Sequence, residues 1–331
     1  MSGENRMKIL VNMPIGSIRD SFMDEKTIER LKRIGDVSFN ETIENKIPNL
    51  AGIDVLITGW GHPKIMTKDL TPELKLIAHT GGTVAPIAEL DVWDTGITVL
   101  SGNRYYAESV AEGTLAYMLF ALRNMGFYSS ELKHGIWHPD AETEGLLDQT
   151  VGIVSVGAIS KNIMRMGKVF RLKFKVFSTH PDTALATELG FEYASLEEIF
   201  SECKIVSIHT AANSATENMI NKDLLKLLKH GSVLINTARG MVLDEEALVE
   251  ELKTGRFRAV LDVYKKEPLD KHTPFLKLDN VTLFPHQAGP TFDRRILITN
   301  YLIDDIERYI KGVPVCNEIT KEMAKGMTQN G

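Results

Sequence analysis

Only two cysteines, Cys203 and Cys316, occur in 331 residues. They form neither a disulfide framework nor a metal-spaced cluster, so no metal is implied and a cytoplasmic, reducing location is expected. No uninterrupted apolar stretch approaches the ~18 residues of a membrane span. The opening Met1-Ser-Gly-Glu-Asn-Arg6 holds no apolar signal core. A strong excess of one charge is also missing: a net charge of −6 gives no reason to expect nucleic acid or an acidic membrane as partner. Internal repeats and low-complexity segments are absent. With 43% apolar and 25% charged residues the composition is that of an ordinary globular protein. Its length predicts two domains, each large enough for its own core.

What is there is an alternation of short apolar runs with helical patterns, which predicts parallel sheets joined by crossover helices. One series has strands near Lys8–Met13, Asp54–Trp60, Leu74–Thr80 and Ile97–Ser101, with a helix around Asp24–Gly35. A second has strands near Val151–Val156, Phe174–Thr179, Ile205–His209, Val233–Thr237, Ala259–Val263 and Val281–Phe284. Helix end signals separate the later strands: Ser195 with Glu198 as a capping box, Asn221 leading to a Gly231 stop, and Asp244 leading to a Gly255 stop. Ser109-Val-Ala-Glu112 reads as another capping box, opening a long apolar helix to about Arg123. A last helix runs from about Thr291 to Lys311 before Gly312, and the polar tail after Cys316 is expected to fray. The fold class is therefore α/β, with two doubly wound parallel-sheet domains.

Three polar residues stand just past apolar runs of the second series. Arg239 closes Ser232-Val-Leu-Ile-Asn-Thr-Ala-Arg-Gly240, Glu267 follows Ala259-Val-Leu-Asp-Val-Tyr264 across two lysines, and His286 closes Val281-Thr-Leu-Phe-Pro-His286. In an open parallel sheet ligands bind outside the carboxyl ends of the strands, so residues at neighbouring strand ends can converge. A guanidinium that can fork a carboxylate, with a histidine braced by a carboxylate, suits proton-coupled chemistry on a small oxo acid.

Asn236-Thr-Ala-Arg-Gly240, Leu261-Asp-Val-Tyr-Lys-Lys-Glu-Pro268 and Pro285-His-Gln-Ala-Gly289 resemble, in order and spacing, the three signatures of the D-isomer-specific 2-hydroxyacid dehydrogenases. Weaker similarity covers Ser109-Val-Ala-Glu112, Thr150-Val-Gly-Ile-Val-Ser-Val-Gly157 and Ile205-Val-Ser-Ile-His209; the first hundred residues match loosely. The resemblance implies a flavodoxin-like substrate domain over 1–102 and 290–331, a Rossmann coenzyme domain over 103–289, and a cleft between them. It implies an NAD(P)-dependent reductase of small 2-oxo acids, or the dehydrogenase of the matching D-2-hydroxy acids. Arg239 would hold the substrate carboxylate and polarise the carbonyl, His286 would carry the proton, and Glu267 would orient His286 and favour its charged form. Glu267 speaks against the related formate dehydrogenases, where glutamine accompanies the histidine. By the same resemblance Trp60 and the Gly81-Gly82-Thr83 loop would contact substrate, the loop as an anion-binding nest. The helix after Ser109 and the following segment from Phe127 to Leu147 would form the contact of a homodimer.

The coenzyme site departs from the expected pattern. A dinucleotide fingerprint needs glycines after the first strand and an acidic residue ~20 positions on. Here the stretch reads Ser155-Val-Gly157-Ala158-Ile159-Ser160, keeping only the middle glycine. Serine in the first position is the harder departure, because the tight turn favours a residue without Cβ; serine in the third adds a small side chain to the helix–strand contact. Thr179 and His180 stand where the ribose carboxylate belongs. That predicts a lean from NAD towards NADP unless Asp182 swings in, and weak affinity for either, since by the same resemblance Ala158 stands where the family often carries an arginine or lysine. The remaining coenzyme contacts implied by the resemblance are Ser109, Thr210, Thr237, Ala238, Ala288 and Asp262, the last at the nicotinamide end.

Plainer readings stand beside these. Arg239 could cap a strand end, Glu267 could be a loop carboxylate, and His286 a satisfied core histidine, although the flanking Pro285 and Ala288-Gly289 favour an exposed turn. His209 reads as structural, and Trp60, Trp93 and Trp137 as packing residues, with Trp60 the possible exception. At the level of the whole chain, the altered fingerprint leaves open a nucleotide-sensing interaction protein on the same fold, like the corepressors related to this family.

Overall fold

A computed structural model describes residues 6–141 and 143–328. Residues 1–5, which include most of the opening segment read above, and 329–331 at the end of the tail lie outside them. The chain divides into two compact units, one of residues 1–106 and 290–331, the other of 107–289.

The first unit holds a five-stranded parallel sheet of β1 (Met7–Asn12), β2 (Gly35–Phe39), β3 (Val55–Thr58), β4 (Leu76–His79) and β5 (Thr98–Ser101), ordered β2-β1-β3-β4-β5. That is the flavodoxin-like winding. Helices α1 (Ser17–Phe22) and α2 (Glu25–Ile34) follow β1, and the Asp24 carboxylate caps α2 by accepting from the Thr27 amide. β3 and β4 are buried along their whole length, as expected of strands covered on both faces. β2 was missed in the sequence because Gly35-Asp-Val-Ser-Phe39 alternates polar and apolar on a sheet edge, where no continuous apolar run is needed.

The second unit carries seven parallel strands: β6 (Thr150–Val154), β7 (Lys173–Phe177), β8 (Glu192–Tyr193), β9 (Ile205–Ile208), β10 (Val233–Asn236), β11 (Arg258–Leu261) and β12 (Val281–Leu283). Their order, β12-β11-β10-β9-β6-β7-β8, is the Rossmann winding with one further strand beyond β11, and it reverses direction between β6 and β9. Helices α3 (Asn103–Leu122), α4 (Met125–Lys133), α5 (Ala158–Gly167), α6 (Thr183–Leu189), α7 (Leu196–Glu202), α8 (Lys222–Leu227) and α9 (Glu245–Leu252) cross over between or precede the strands. The capping signals at Ser195, Asn221 and Asp244 are all in use. β8, two residues long, left no periodic trace.

Ser109 corrects one expectation. Instead of capping a helix it lies six residues inside α3 and is buried. The helix starts earlier because Ser101 Oγ accepts from the Asn103 amide at 3.1 Å, offering a start six residues upstream of the apparent box.

The chain returns to the first unit through α10 (Phe292–Ile310), and α11 (Lys321–Lys325) follows. From Cys316 to Thr328 the segment is tied down rather than frayed. Asp305, buried on α10, accepts from the amides of Cys316 and Asn317 and from Asn317 Nδ2, all at 2.8 Å, and the Ile319 amide donates to Val99 at 2.8 Å. Trp93 Nε1 donates to Ile319 at 2.7 Å, so that tryptophan does pack. One carboxylate thus satisfies three donors in a stretch whose polar composition conceals its buried Ile319 and Ala324. Trp137, expected to pack, is 73% exposed within the chain.

Candidate active site and nucleotide turn

β10, β11 and β12 are consecutive neighbours, so the residues that follow them share one edge of the sheet. Arg239 comes three residues after β10. Asn236 shapes its turn, accepting from the Ala238 amide and donating Nδ2 to the Arg239 carbonyl, both at 3.1 Å. Gly240 explains why glycine follows: a Cβ there would stand 1.9 Å from the Tyr264 carbonyl carbon and 2.2 Å from the Lys265 nitrogen. That close approach locks the Arg239 turn against the loop that carries Glu267. Arg239 donates to the Ala238 carbonyl at 2.7 Å and forms no ion pair among the described residues. Burial lowers its affinity for its proton, offset by the nearby Glu267 charge; a guanidinium stays charged regardless.

Glu267 faces two ways. Oε1 accepts from the Tyr264 amide at 3.0 Å and Oε2 meets His286 Nδ1 at 2.7 Å. Since a carboxylate only accepts, Nδ1 carries a hydrogen and Nε2 is left for chemistry. Glu245, which the sequence reading passed over, accepts from the Lys265 amide at 2.6 Å and so fixes the same loop; burial and the charge of Glu267 raise its pKa.

His286 sits at φ +54, a left-handed backbone uncommon outside glycine and asparagine. Asp262 holds it there. The Asp262 carbonyl accepts from the His286 amide at 2.9 Å, and its carboxylate accepts from Gln287 at 2.7 Å, Ala288 at 2.9 Å and the Tyr117 hydroxyl at 2.9 Å. Tyr117 in turn stacks on Phe284 with ring centres 4.3 Å apart. Expected at the nicotinamide end, Asp262 is 1% exposed with its carboxylate committed to the turn. A reader of sequence could have suspected this from Asp at a strand end, but the Tyr117 partner lies 145 residues away.

The nucleotide turn follows β6, beside the point where the strand order reverses. Ser155, in the place of the first glycine, adopts φ +81. Ser160 closes the turn from inside α5. Its Oγ accepts from the Gly157 amide at 2.8 Å and lies 3.0 Å from the Ser155 carbonyl. The serine at the third fingerprint position is therefore a fully buried fastener rather than a mere extra side chain. The amides of Ala158 and Ile159 have no acceptor among the described residues, and a Cβ at Gly157 would meet nothing within 4 Å. A helix N-terminus with free amides and open space at the switch point fits a pyrophosphate. Thr179 and His180 follow β7, exposed and paired with each other at 2.9 Å. Thr210 follows β9; Thr237 and Ala238 follow β10 and are buried, as is Ala288. Thr237 Oγ1 lies 3.1 Å from Thr114 on α3. His209 is half-buried with Nε2 2.8 Å from Ser207 Oγ, and desolvation of its ring pushes its pKa down to about 3.

The Gly81-Gly82-Thr83 loop and Trp60 belong to the first unit. Ser101 Oγ lies within hydrogen-bonding distance of the Gly81 and Gly82 carbonyls, at 3.0 and 2.7 Å. The amides of Gly81, Gly82 and Thr83 have no acceptor among the described residues, as a nest requires. Gly81 is needed because a Cβ would lie 2.2 Å from His79 Nε2.

Residues 115–288 match the family model described as D-isomer specific 2-hydroxyacid dehydrogenase, NAD binding domain. The chain belongs to this family. It is 31% identical over 266 residues to a glyoxylate reductase of Aeropyrum pernix, covering 77% of this chain and 78% of that protein. Against a D-3-phosphoglycerate dehydrogenase of Methanocaldococcus jannaschii it is 28% identical over 314 residues, covering 92% of this chain but 58% of the longer relative. Among solved structures, a D-lactate dehydrogenase from Aquifex aeolicus, complexed with NAD and lactic acid, aligns with a TM-score of 0.71 at 26% identity over 92% of this chain and 96% of that one. No helix among the described residues is long and apolar enough to cross a membrane, and no group of three or more His, Cys, Asp or Glu among them could hold a metal ion.

Proposed function

We propose that this chain is an NAD(P)H-dependent reductase of small 2-oxo acids, able to run in reverse on D-2-hydroxy acids. The observation that carries the reading is the 2.7 Å Glu267–His286 contact beside an arginine that forms no ion pair among the described residues, at the next strand end. Arg239 grips the substrate carboxylate and withdraws charge from the carbonyl, a task for which its planar fork suits it. The nicotinamide, when bound, supplies the hydride. His286 gives the Nε2 proton to the carbonyl oxygen and retains the Nδ1 hydrogen that Glu267 accepts. Asp262, with Tyr117 behind it, keeps the His286 turn in register. The amides of Gly81, Gly82 and Thr83 serve as a further carboxylate-binding element, and those of Ala158 and Ile159 receive the pyrophosphate.

The finer coenzyme choice leans towards NADP, because His180 offers the ribose hydroxyls no carboxylate and repels no 2′-phosphate. Exposed Phe127, Leu132, Ile136, Trp137 and Leu147 support a homodimer contact, which light scattering at micromolar concentration tests: a monomer mass removes it. One observation favours a second reading as a nucleotide-sensing protein without turnover, namely the Gly157 amide already bonded to Ser160. The experiment is a turnover screen of glyoxylate, hydroxypyruvate, pyruvate, phenylpyruvate and branched 2-oxo acids with both reduced coenzymes, for wild type and Arg239→Lys. The reductase reading expects at least one substrate to turn over and the lysine variant to fail. Coenzyme binding with no turnover of any oxo acid supports the sensor instead.

A further inference from the structure

In the first unit four side chains line up from the Gly81–Thr83 loop outwards. Tyr106 lies on Gly82, its ring atoms 3.2 Å from where a Cβ would be. Trp60 meets Tyr106 edge-on with ring centres 6.3 Å apart and Phe22 at 5.0 Å. The Arg295 guanidinium stands 4.7 Å from the centre of the Trp60 ring and 5.8 Å from that of Phe22. Two groups of this row lack the polar partner that their burial calls for. The Tyr106 hydroxyl is buried and has no partner at full hydrogen-bond geometry among the described residues, with only the Trp60 side chain near it. Arg295 uses Nε on the Pro290 carbonyl at 3.2 Å and one terminal nitrogen on Ser21 Oγ at 3.2 Å, but faces no carboxylate within ion-pair distance among the described residues. A buried hydroxyl left unsatisfied is costly, and a half-buried guanidinium is ordinarily paired. Burial pushes the Tyr106 phenol up, and the Trp60 side chain near the hydroxyl, followed by the Arg295 charge, offsets part of that rise.

We infer that this row is the recognition site for a second anionic group on the substrate: a 2-oxo acid whose tail ends in a carboxylate or a phosphate, received by Arg295 and the Tyr106 hydroxyl over the Trp60 ring. The identity of the 2-oxo end rests on the reductase reading above; the site for the tail stands on unit-one residues alone. Arg is suited to either anion because its fork matches both geometries. Trp60, 36% exposed in a Thr-Gly-Trp-Gly loop, forms the floor on which the guanidinium is fixed by cation–π contact.

The test measures two properties of the full-length protein. Calorimetric affinities and steady-state turnover with both reduced coenzymes are compared for oxaloacetate, its apolar near-isostere 4-methyl-2-oxopentanoate, 3-phosphohydroxypyruvate, and tail-less glyoxylate. Wild type should prefer at least one dianion over the apolar isostere by tenfold or more, and the two dianion arms separate a carboxylate from a phosphate tail. Arg295→Met should erase that preference, chiefly through KM and Kd, while changing glyoxylate by less than about threefold. Tyr106→Phe, which keeps the ring packing, should reduce the preference severalfold and guards against misfolding of the Met variant. Equal or better binding of the apolar tail by wild type, or an unchanged dianion preference in both variants, overturns the inference. Arg295-dependent dianion binding without turnover of any oxo acid upholds the site and sinks the reductase reading instead.

Discussion

Two turns of the second unit carry the same backbone anomaly and resolve it in opposite ways. His286 and Ser155 both sit at positive φ, +54 and +81, at strand ends of one sheet. Each such residue is held against local preference by its surroundings, at a cost of about 1–3 kcal/mol. At His286 the grip comes from behind, through the Asp262 carbonyl and carboxylate, and the imidazole is left presented with Nδ1 on Glu267. At Ser155 the grip comes from Ser160, which occupies the Gly157 amide. The contrast teaches that strain marks a functional turn only when the fastener leaves the working atoms free. One turn leaves its imidazole Nε2 free; the other leaves the amides of Ala158 and Ile159 free but has that of Gly157 already bonded.

The strongest way to break this comparison is at Asp262. Asp262→Asn keeps the shape but has a single acceptor oxygen for the Gln287, Ala288 and Tyr117 donors, so at least one buried donor loses its partner, at about 1–3 kcal/mol. Turnover should fall by roughly tenfold or more through kcat, with KM for substrate less affected. Tyr117→Phe should give a smaller loss of the same pattern. Equal losses in stability with no change in kcat would leave Asp262 a purely structural residue.

The units can also be compared through two desolvated histidines. His79 in the first unit and His209 in the second are both pushed down to about 3, His79 by burial and the nearby His62, His209 by burial. Protons therefore bind the unfolded chain first. Each contribution is complete above the unfolded value near 6.5, and is lost as pH falls from there towards 3. At pH 5.5 each should remove roughly 1.4 kcal/mol relative to pH 8. Denaturant unfolding at the two pH values measures this, and a stability that rises on acidification contradicts it.

The smallest expected effect sharpens the nucleotide side. Ser160→Ala releases the Gly157 amide, so reduced coenzyme should bind about two- to fivefold more tightly, equivalent to less than ~1 kcal/mol. His180→Asp should shift preference towards NADH. Weaker binding in Ser160→Ala would show that the serine supports the bound turn rather than competing with it.

Much of this was legible in the sequence, and the exceptions share a cause. Fully buried parallel strands announce themselves as apolar runs, and Asn236–Gly240, Leu261–Pro268 and Pro285–Gly289 carry their chemistry in local order. What escaped depends on partners distant in the chain or on edge position. β2 alternates on a sheet edge, and the tail after Cys316 is ordered by Asp305 on another element. Asp262 reads as a ligand-facing acid until Tyr117 and two backbone amides are found on it. The apparent box at Ser109 misled because a serine eight residues earlier offers the helix a better start.

The central claim is that His286, positioned by Glu267, moves the proton while contributing nothing to coenzyme binding. Its most direct test is His286→Asn, because asparagine tolerates the left-handed backbone and spares the turn. Pre-steady-state turnover of the best 2-oxo acid should fall by about 10²–10⁴-fold, with the Kd for reduced coenzyme, measured by fluorescence, within about twofold of wild type. Turnover within a few-fold of wild type, at unchanged coenzyme affinity, would contradict the account.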